Sequence, residues 1–128
     1  MTRTIADYVK DINDMITKIE EFSEDIKFEQ FEKDEKTKYA VVRALEIMGE
    51  ASKNIPPFIK KKYNKVPWKK MAGMRDKLIH EYFGVNTKVL WQTINEEIPV
   101  IKQLLKNISE EIHDELRLDF RNNENHNK

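Results

Sequence analysis

VLWQTINEEIPVIKQLLKNISEEI, residues Val89–Ile112, carries the cleanest periodic signal in the chain. Leu90, Trp91, Ile94, Ile98, Ile101, Leu105, Ile108 and Ile112 recur at three- and four-residue steps. That spacing gathers apolar side chains on one face of an α-helix. Pro99 interrupts the pattern, because proline has no N–H to donate and its ring crowds the carbonyl four residues back. Either a single helix kinks there, or one helix stops near Asn95 and another starts. The stripe continues on both sides of Pro99, which favours one long kinked helix.

The same period appears upstream. Thr4, with Asp7 three residues later, reads as a helix start in which the two side chains satisfy orphan N–H groups. Ile5, Tyr8, Val9, Ile12, Met15, Ile16, Ile19 and Phe22 then form one stripe that ends near Glu24. Phe28 and Phe31 predict a short helical turn in the connection. A second long helix is predicted from about Asp34 to Asn54, with Tyr39, Val42, Leu45, Met48 and Ser52 on one side and Val41, Ala44, Ile47 and Ala51 on another. Two stripes predict burial on two sides, against the fold and against a partner. Gly49 lies inside this helix, where close approach of another backbone would account for it. Arg43, Glu46 and Glu50 leave two readings open: local surface pairing, or bracing of a site at a helix–helix seam. Pro56–Pro57 ends the helix, and Phe58 to Tyr63 allows one or two turns. Pro67–Trp68 opens a third helix, with Gly84 a natural stop and Asn86 or Thr87 a cap for the next.

A chain of 128 residues, 39% hydrophobic and 36% charged, fits one domain with a modest core and a heavily solvated surface. With 3 glycines and 4 prolines, the favoured class is all-α. We expect a single helical domain over residues 1–120 and a disordered tail over 121–128, where nothing remains to bury. There are no cysteines, so disulfide and thiolate chemistry are excluded. No apolar run approaches the roughly 20 residues of a membrane span, and the N-terminus lacks a signal-peptide core. The expectation is a soluble cytoplasmic protein that binds no membrane. His80, His113 and His126 are scattered, so no metal cluster and no cofactor are expected.

Net charge is zero but unevenly placed. Glu20 to Glu35 is mostly acidic. Lys60 to Lys70 holds Lys60, Lys61, Lys62, Lys65, Lys69 and Lys70 with no acid among them. Each run can be a plain solvated face. The basic one ends five residues before Arg75, within MAGMRDKLIHEYFG (Met71–Gly84), which makes Lys69 and Lys70 candidates for holding RNA phosphate.

That segment sets Arg75, Asp76, His80 and Tyr82 among packing residues Leu78, Ile79 and Phe83. Histidine and arginine suffice for RNA cleavage without a metal. His80 can take the ribose 2′-OH proton or protonate the leaving 5′ oxygen. Arg75 can hold the phosphate and its growing charge with a planar fork of donors. On an ideal helix, at about 100° per residue, the two are about 140° apart, whereas Arg75 and Tyr82 are about 20° apart. A straight helix cannot aim Arg75 and His80 at one small target. Either it unwinds around Ile79–Glu81, or Arg75 works with His80 of a twofold mate, which would also supply a second imidazole. Asp76 can orient an imidazole, contact Arg75 or simply be solvated. Tyr82 can touch the nucleotide or only pack.

RDKLIHEY (Arg75–Tyr82) resembles the R-x-x-x-x-H-x-Y pattern of the HepT-like HEPN ribonucleases, the toxin half of MntA–HepT toxin–antitoxin systems. AVVRALEIMGEASK (Ala40–Lys53), VPWKKMAGMRD (Val66–Asp76) and VLWQTINEEIP (Val89–Pro99) resemble the family in the same order and spacing. The resemblance spans about Ile5 to Leu105. It implies a HEPN four- to five-helix bundle that forms a homodimer, with Arg75 and His80 as the ribonuclease pair at a cleft between protomers. It also implies a minimal nucleotidyltransferase antitoxin that transfers AMP from ATP to Tyr82. The added bulk and negative charge would block a site meant for RNA phosphate. The family often has asparagine after the arginine; Asp76 here adds a negative charge that bears on phosphate affinity. The rival is a HEPN module that binds nucleotide or a partner without cutting.

Overall fold

Helix α1, Ile5–Ser23, starts at the expected Thr4. The Asp7 amide donates to Thr4 Oγ1 (3.2 Å) and the Thr4 amide to Asp7 Oδ2 (2.9 Å), a reciprocal cap. Val9, Ile12, Ile16 and Ile19 of its stripe are buried. The computed structural model describes residues 3–80 and 86–126, and for 75, 77–80 and 113–126 the backbone alone. The expected stop at Gly84 lies outside the described residues.

The connection forms the short helix α2, Phe28–Lys33, which buries Phe31. The rings of Phe28 and Phe31 meet Trp91 at centroid distances of 5.9 and 5.1 Å, fixing this connection to the C-terminal part of the chain. Helix α3, Glu35–Lys53, is capped by Asp34, which accepts from the Thr37 amide (3.0 Å) and hydroxyl (2.6 Å). It lies between α1 and α5 (Trp68–His80), and this explains its two stripes within one chain. Val41, Ala44, Leu45, Met48 and Ala51 are buried, as is Gly49. Tyr39 departs from the expectation at 65% exposed; it stands near the start of α3, ahead of the first buried position.

Pro57 opens helix α4, Pro57–Lys62, at a position where its missing N–H is harmless. The α4–α5 link is pinned by the Trp68 indole, which donates to the Tyr63 carbonyl (3.0 Å). Helix α6, Thr87–Gln92, is capped by Asn86, whose Oδ1 accepts from the Val89 amide (3.2 Å).

The Pro99 question has a specific answer. A π-helical turn, Thr93–Glu97, joins α6 to helix α7, Ile98–His126, with no break in the helical backbone. A wider turn ahead of a proline eases the crowding between its ring and the preceding carbonyls. Thr93 Oγ1 donates to the Val89 carbonyl (2.8 Å) and Asn95 Nδ2 to the Trp91 carbonyl (2.8 Å), supplying carbonyls that a wide turn leaves poorly served. Ile98, Ile101, Leu105, Ile108 and Ile112 are buried. Helix α7 packs on α1, and Asn13 Nδ2 donates to Ser109 Oγ (2.7 Å) across that seam.

Among the described residues there is no strand, and the fold is an all-α bundle of the expected kind. Where the sequence predicts a tail without structure from Arg121, the helical backbone runs on to His126. Helix propagation from an existing end needs little beyond local bonding. No helix of the described residues is long and apolar enough to cross a membrane.

Candidate functional site

Helix α5 holds the candidate residues, and its register sorts them into two groups. At about 100° per residue, positions 69, 73, 76 and 80 fall within an arc of about 60°. Lys69 and Asp76 on this arc are exposed and Gly73 is half-exposed. Position 75 falls on the opposite side, in register with Trp68 and Met71, which are 5% and 0% exposed. The backbone is helical through His80. Of the stretch Ile79–Glu81, where the sequence allows unwinding, Ile79 and His80 are helical and Glu81 lies outside the described residues. Tyr82 lies outside the described residues, and Arg75 and His80 are placed by backbone alone.

Lys69 and Lys70 stand in the first turn of α5, where a positive charge opposes the helix dipole. Lys70 is not free: it pairs with Glu97 of the π turn, tying α5 to the segment ahead of α7. Between them lies a groove of about 490 Å³ lined by Leu45, Lys70, Gly73, Met74, Thr93 and Glu97, among others. On the other side of Lys70 a broad open shelf is lined by Lys60, Asn64, Pro67, Trp68, Lys69 and Lys70, among others. Lys70 borders both.

Gly73 is the residue that pattern reading leaves unweighted. An isolated glycine within a helical pattern was the available signal. In mid-helix it costs about 1 kcal/mol against alanine. Among the described residues, a Cβ built there meets nothing within 4 Å.

Arg43, Glu46 and Glu50 pair along α3. Arg43 Nη1 lies 3.1 Å from Glu46 Oε2 with its side chain 71% exposed, and Glu50 Oε1 lies 3.8 Å from Lys53 Nζ. For Arg43 and Glu46 this is the local pairing that the sequence allows. Among the described residues, no three His, Cys, Asp or Glu side chains are grouped to hold a metal ion. Among the described residues, titration shifts stand out on α1 and at the start of α3. The Thr4 amide and hydroxyl hold the Asp7 carboxyl below its usual range. The Thr37 hydroxyl and amide do the same for Asp34. The hydrogen bond from Lys10 to Asp14 raises the lysine.

The model of the family described as "Ribonuclease HepT-like" matches residues 12–108. A Thermococcus cleftensis protein named "Probable ribonuclease HepT" is 56% identical over 102 residues, covering 80% of this chain and 93% of that protein. A Caldanaerobacter subterraneus protein, named provisionally as an RNase, is 57% identical over 83 residues, 65% of this chain and 74% of its own length. A Methanocaldococcus jannaschii protein with a similar provisional name is 44% identical over 110 residues, 86% and 91% of the two chains. No solved structure matches the chain.

Proposed function

The chain belongs to the HepT-like ribonuclease family, and on that footing we propose that it is a metal-independent endoribonuclease toxin acting in the cytoplasm as a homodimer. Arg75 of one protomer and His80 of the other meet at one phosphodiester. The observation that carries this reading is the unbroken helix through His80. Along that helix the two positions stand about 140° apart around the axis, which supports convergence on one phosphate from two chains.

In the reaction, one His80 takes the proton from the ribose 2′-OH. The 2′ oxygen bonds to phosphorus and the bond from phosphorus to the 5′ oxygen breaks. The partner's His80 returns a proton to that leaving oxygen, giving a 2′,3′-cyclic phosphate and a 5′-OH. Arg75 donates to the non-bridging oxygens as their charge grows. Acid–base help of this kind is worth about 100- to 10,000-fold. Lys69 holds a flanking phosphate, with Lys70 beside it; Asp76 lies on the His80 side of α5 and sets local charge there. Restraint comes from a small nucleotidyltransferase that transfers AMP from ATP to the Tyr82 hydroxyl with release of pyrophosphate, adding bulk and negative charge at the RNA site.

The test is to incubate the pure protein with tRNA and mRNA in a chelator and compare His80→Ala and Arg75→Ala. Loss of cyclic-phosphate ends in both variants is expected; equal cleavage by wild type and His80→Ala would remove His80 from the mechanism. After co-expression with a small nucleotidyltransferase, the intact mass should rise by one AMP at Tyr82. An unchanged mass, or an adduct elsewhere, would refute that part.

A further inference from the structure

We propose that the RNA strand crosses α5 at Gly73, its sugar–phosphate backbone lying directly against helix backbone that no side chain covers. This rests on the ribonuclease reading above and places the substrate within it. Among the described residues the fold gives no reason for the glycine. It lies in the interior of Trp68–His80, a site where alanine makes a better helix. A Cβ there would occupy open space among the described residues. The room is therefore kept for something outside the described chain.

The groove beside Gly73 is lined by Leu45, Met74, Val89 and Thr93 with the Lys70–Glu97 pair, so the occupant is selected by the lysines ahead of it. That groove and the lysine shelf lie on either side of Lys70, which borders both. Among the described residues no carboxylate pairs with Lys60 or Lys69 on the shelf, while Lys70 is set by Glu97. A polyanion that follows the shelf meets Lys60 and Lys69, passes Lys70, and reaches Gly73 one turn further along α5. The arc of positions 69, 73, 76 and 80 then leads it past the exposed Asp76 to the His80 position about 10 Å beyond Gly73. A second copy of this chain seated here through the same patch would bring lysine shelf toward lysine shelf. Phosphate neutralises that shelf instead.

The experiment uses His80→Ala as the binding background, a fluorescent single-stranded RNA, and Gly73→Ala and Gly73→Leu added to it. Anisotropy reads affinity, thermal unfolding reads the fold, and light scattering reads molar mass. Gly73→Ala should melt about 4 °C higher. Gly73→Leu should stay folded, bind RNA at least about tenfold more weakly, and keep its molar mass. Unchanged RNA affinity in Gly73→Leu overturns the proposal. So does a loss of affinity that comes with a fall in molar mass, which would assign Gly73 to a contact between chains. If wild type cuts RNA and Gly73→Leu binds normally, this placement alone fails. If wild type neither binds nor cuts, the ribonuclease reading fails and takes this with it.

Discussion

Helices α1 and α5 both pack against α3, yet their sequences follow opposite rules. In α1 the N-terminus has a reciprocal cap and an acid in the first turn, and one stripe is buried from Val9 to Ile19. Each of these choices favours the helix. In α5 the first turn has no acid and carries Lys69 and Lys70 against the dipole, and Gly73 interrupts the middle. Together these features give up about 1–3 kcal/mol of local stability. Among the described residues Lys70 gains a partner in Glu97, whereas Lys69 and Gly73 gain no structural return. Local rules broken without a structural return are expected where a chain does chemistry or meets a ligand.

The contrast makes its largest prediction for the α1 core. Ile12 is 0% exposed, so Ile12→Ala should cost about 2–5 kcal/mol in chemical denaturation. His80→Ala should leave the unfolding free energy within about 0.5 kcal/mol of wild type while removing cleavage. A mild Ile12→Ala together with an unfolded His80→Ala would reverse the assignment of α1 to stability and α5 to chemistry.

A smaller effect is expected at the start of α5. Lys69→Glu puts a negative charge where the helix dipole favours one. It should stabilise the fold by about 0.5–1 kcal/mol and weaken RNA binding. Stability and affinity moving in the same direction would show that Lys69 serves the helix and not a polyanion.

Most of the fold was legible because the apolar stripes are long and their boundaries carry caps that act locally. Thr4, Asp34, Asn86 and Pro57 all stand where their local chemistry places them. The π turn was not legible. Pro99 announces a disturbance, but several backbone solutions relieve it, and the choice depends on what Thr93 and Asn95 can bond to. Tyr39 misled because periodicity gives direction around a helix and says nothing about how far along it the neighbouring helix reaches. At the site, Arg75 and His80 stand out by residue type and family pattern. The Lys70–Glu97 tie joins residues far apart in sequence, so spacing could not supply it. Gly73 was visible as a letter, but its meaning required knowing that the space beside it is open.

The smallest effect concerns acid. Asp7 is held below the usual carboxylate range by the Thr4 amide and hydroxyl, and Asp34 by the Thr37 hydroxyl and amide. In the unfolded chain both return to ordinary values and bind protons more readily. Their contribution is therefore complete above the unfolded value and is lost as pH falls through it toward the lower folded value. Both carboxylates cap helices that pack on one another, α1 and α3. Acid should loosen that pair through carboxylates built into the helix starts themselves, whereas the first turn of α5 holds no acid and meets one only in the Lys70–Glu97 pair. Melting temperature followed from about pH 5 to pH 3 should drop less steeply in Asp7→Asn than in wild type. Parallel curves for the two proteins would mean that the Thr4–Asp7 cap contributes nothing to acid sensitivity. The difference between the two helix starts would then lie in the lysines alone.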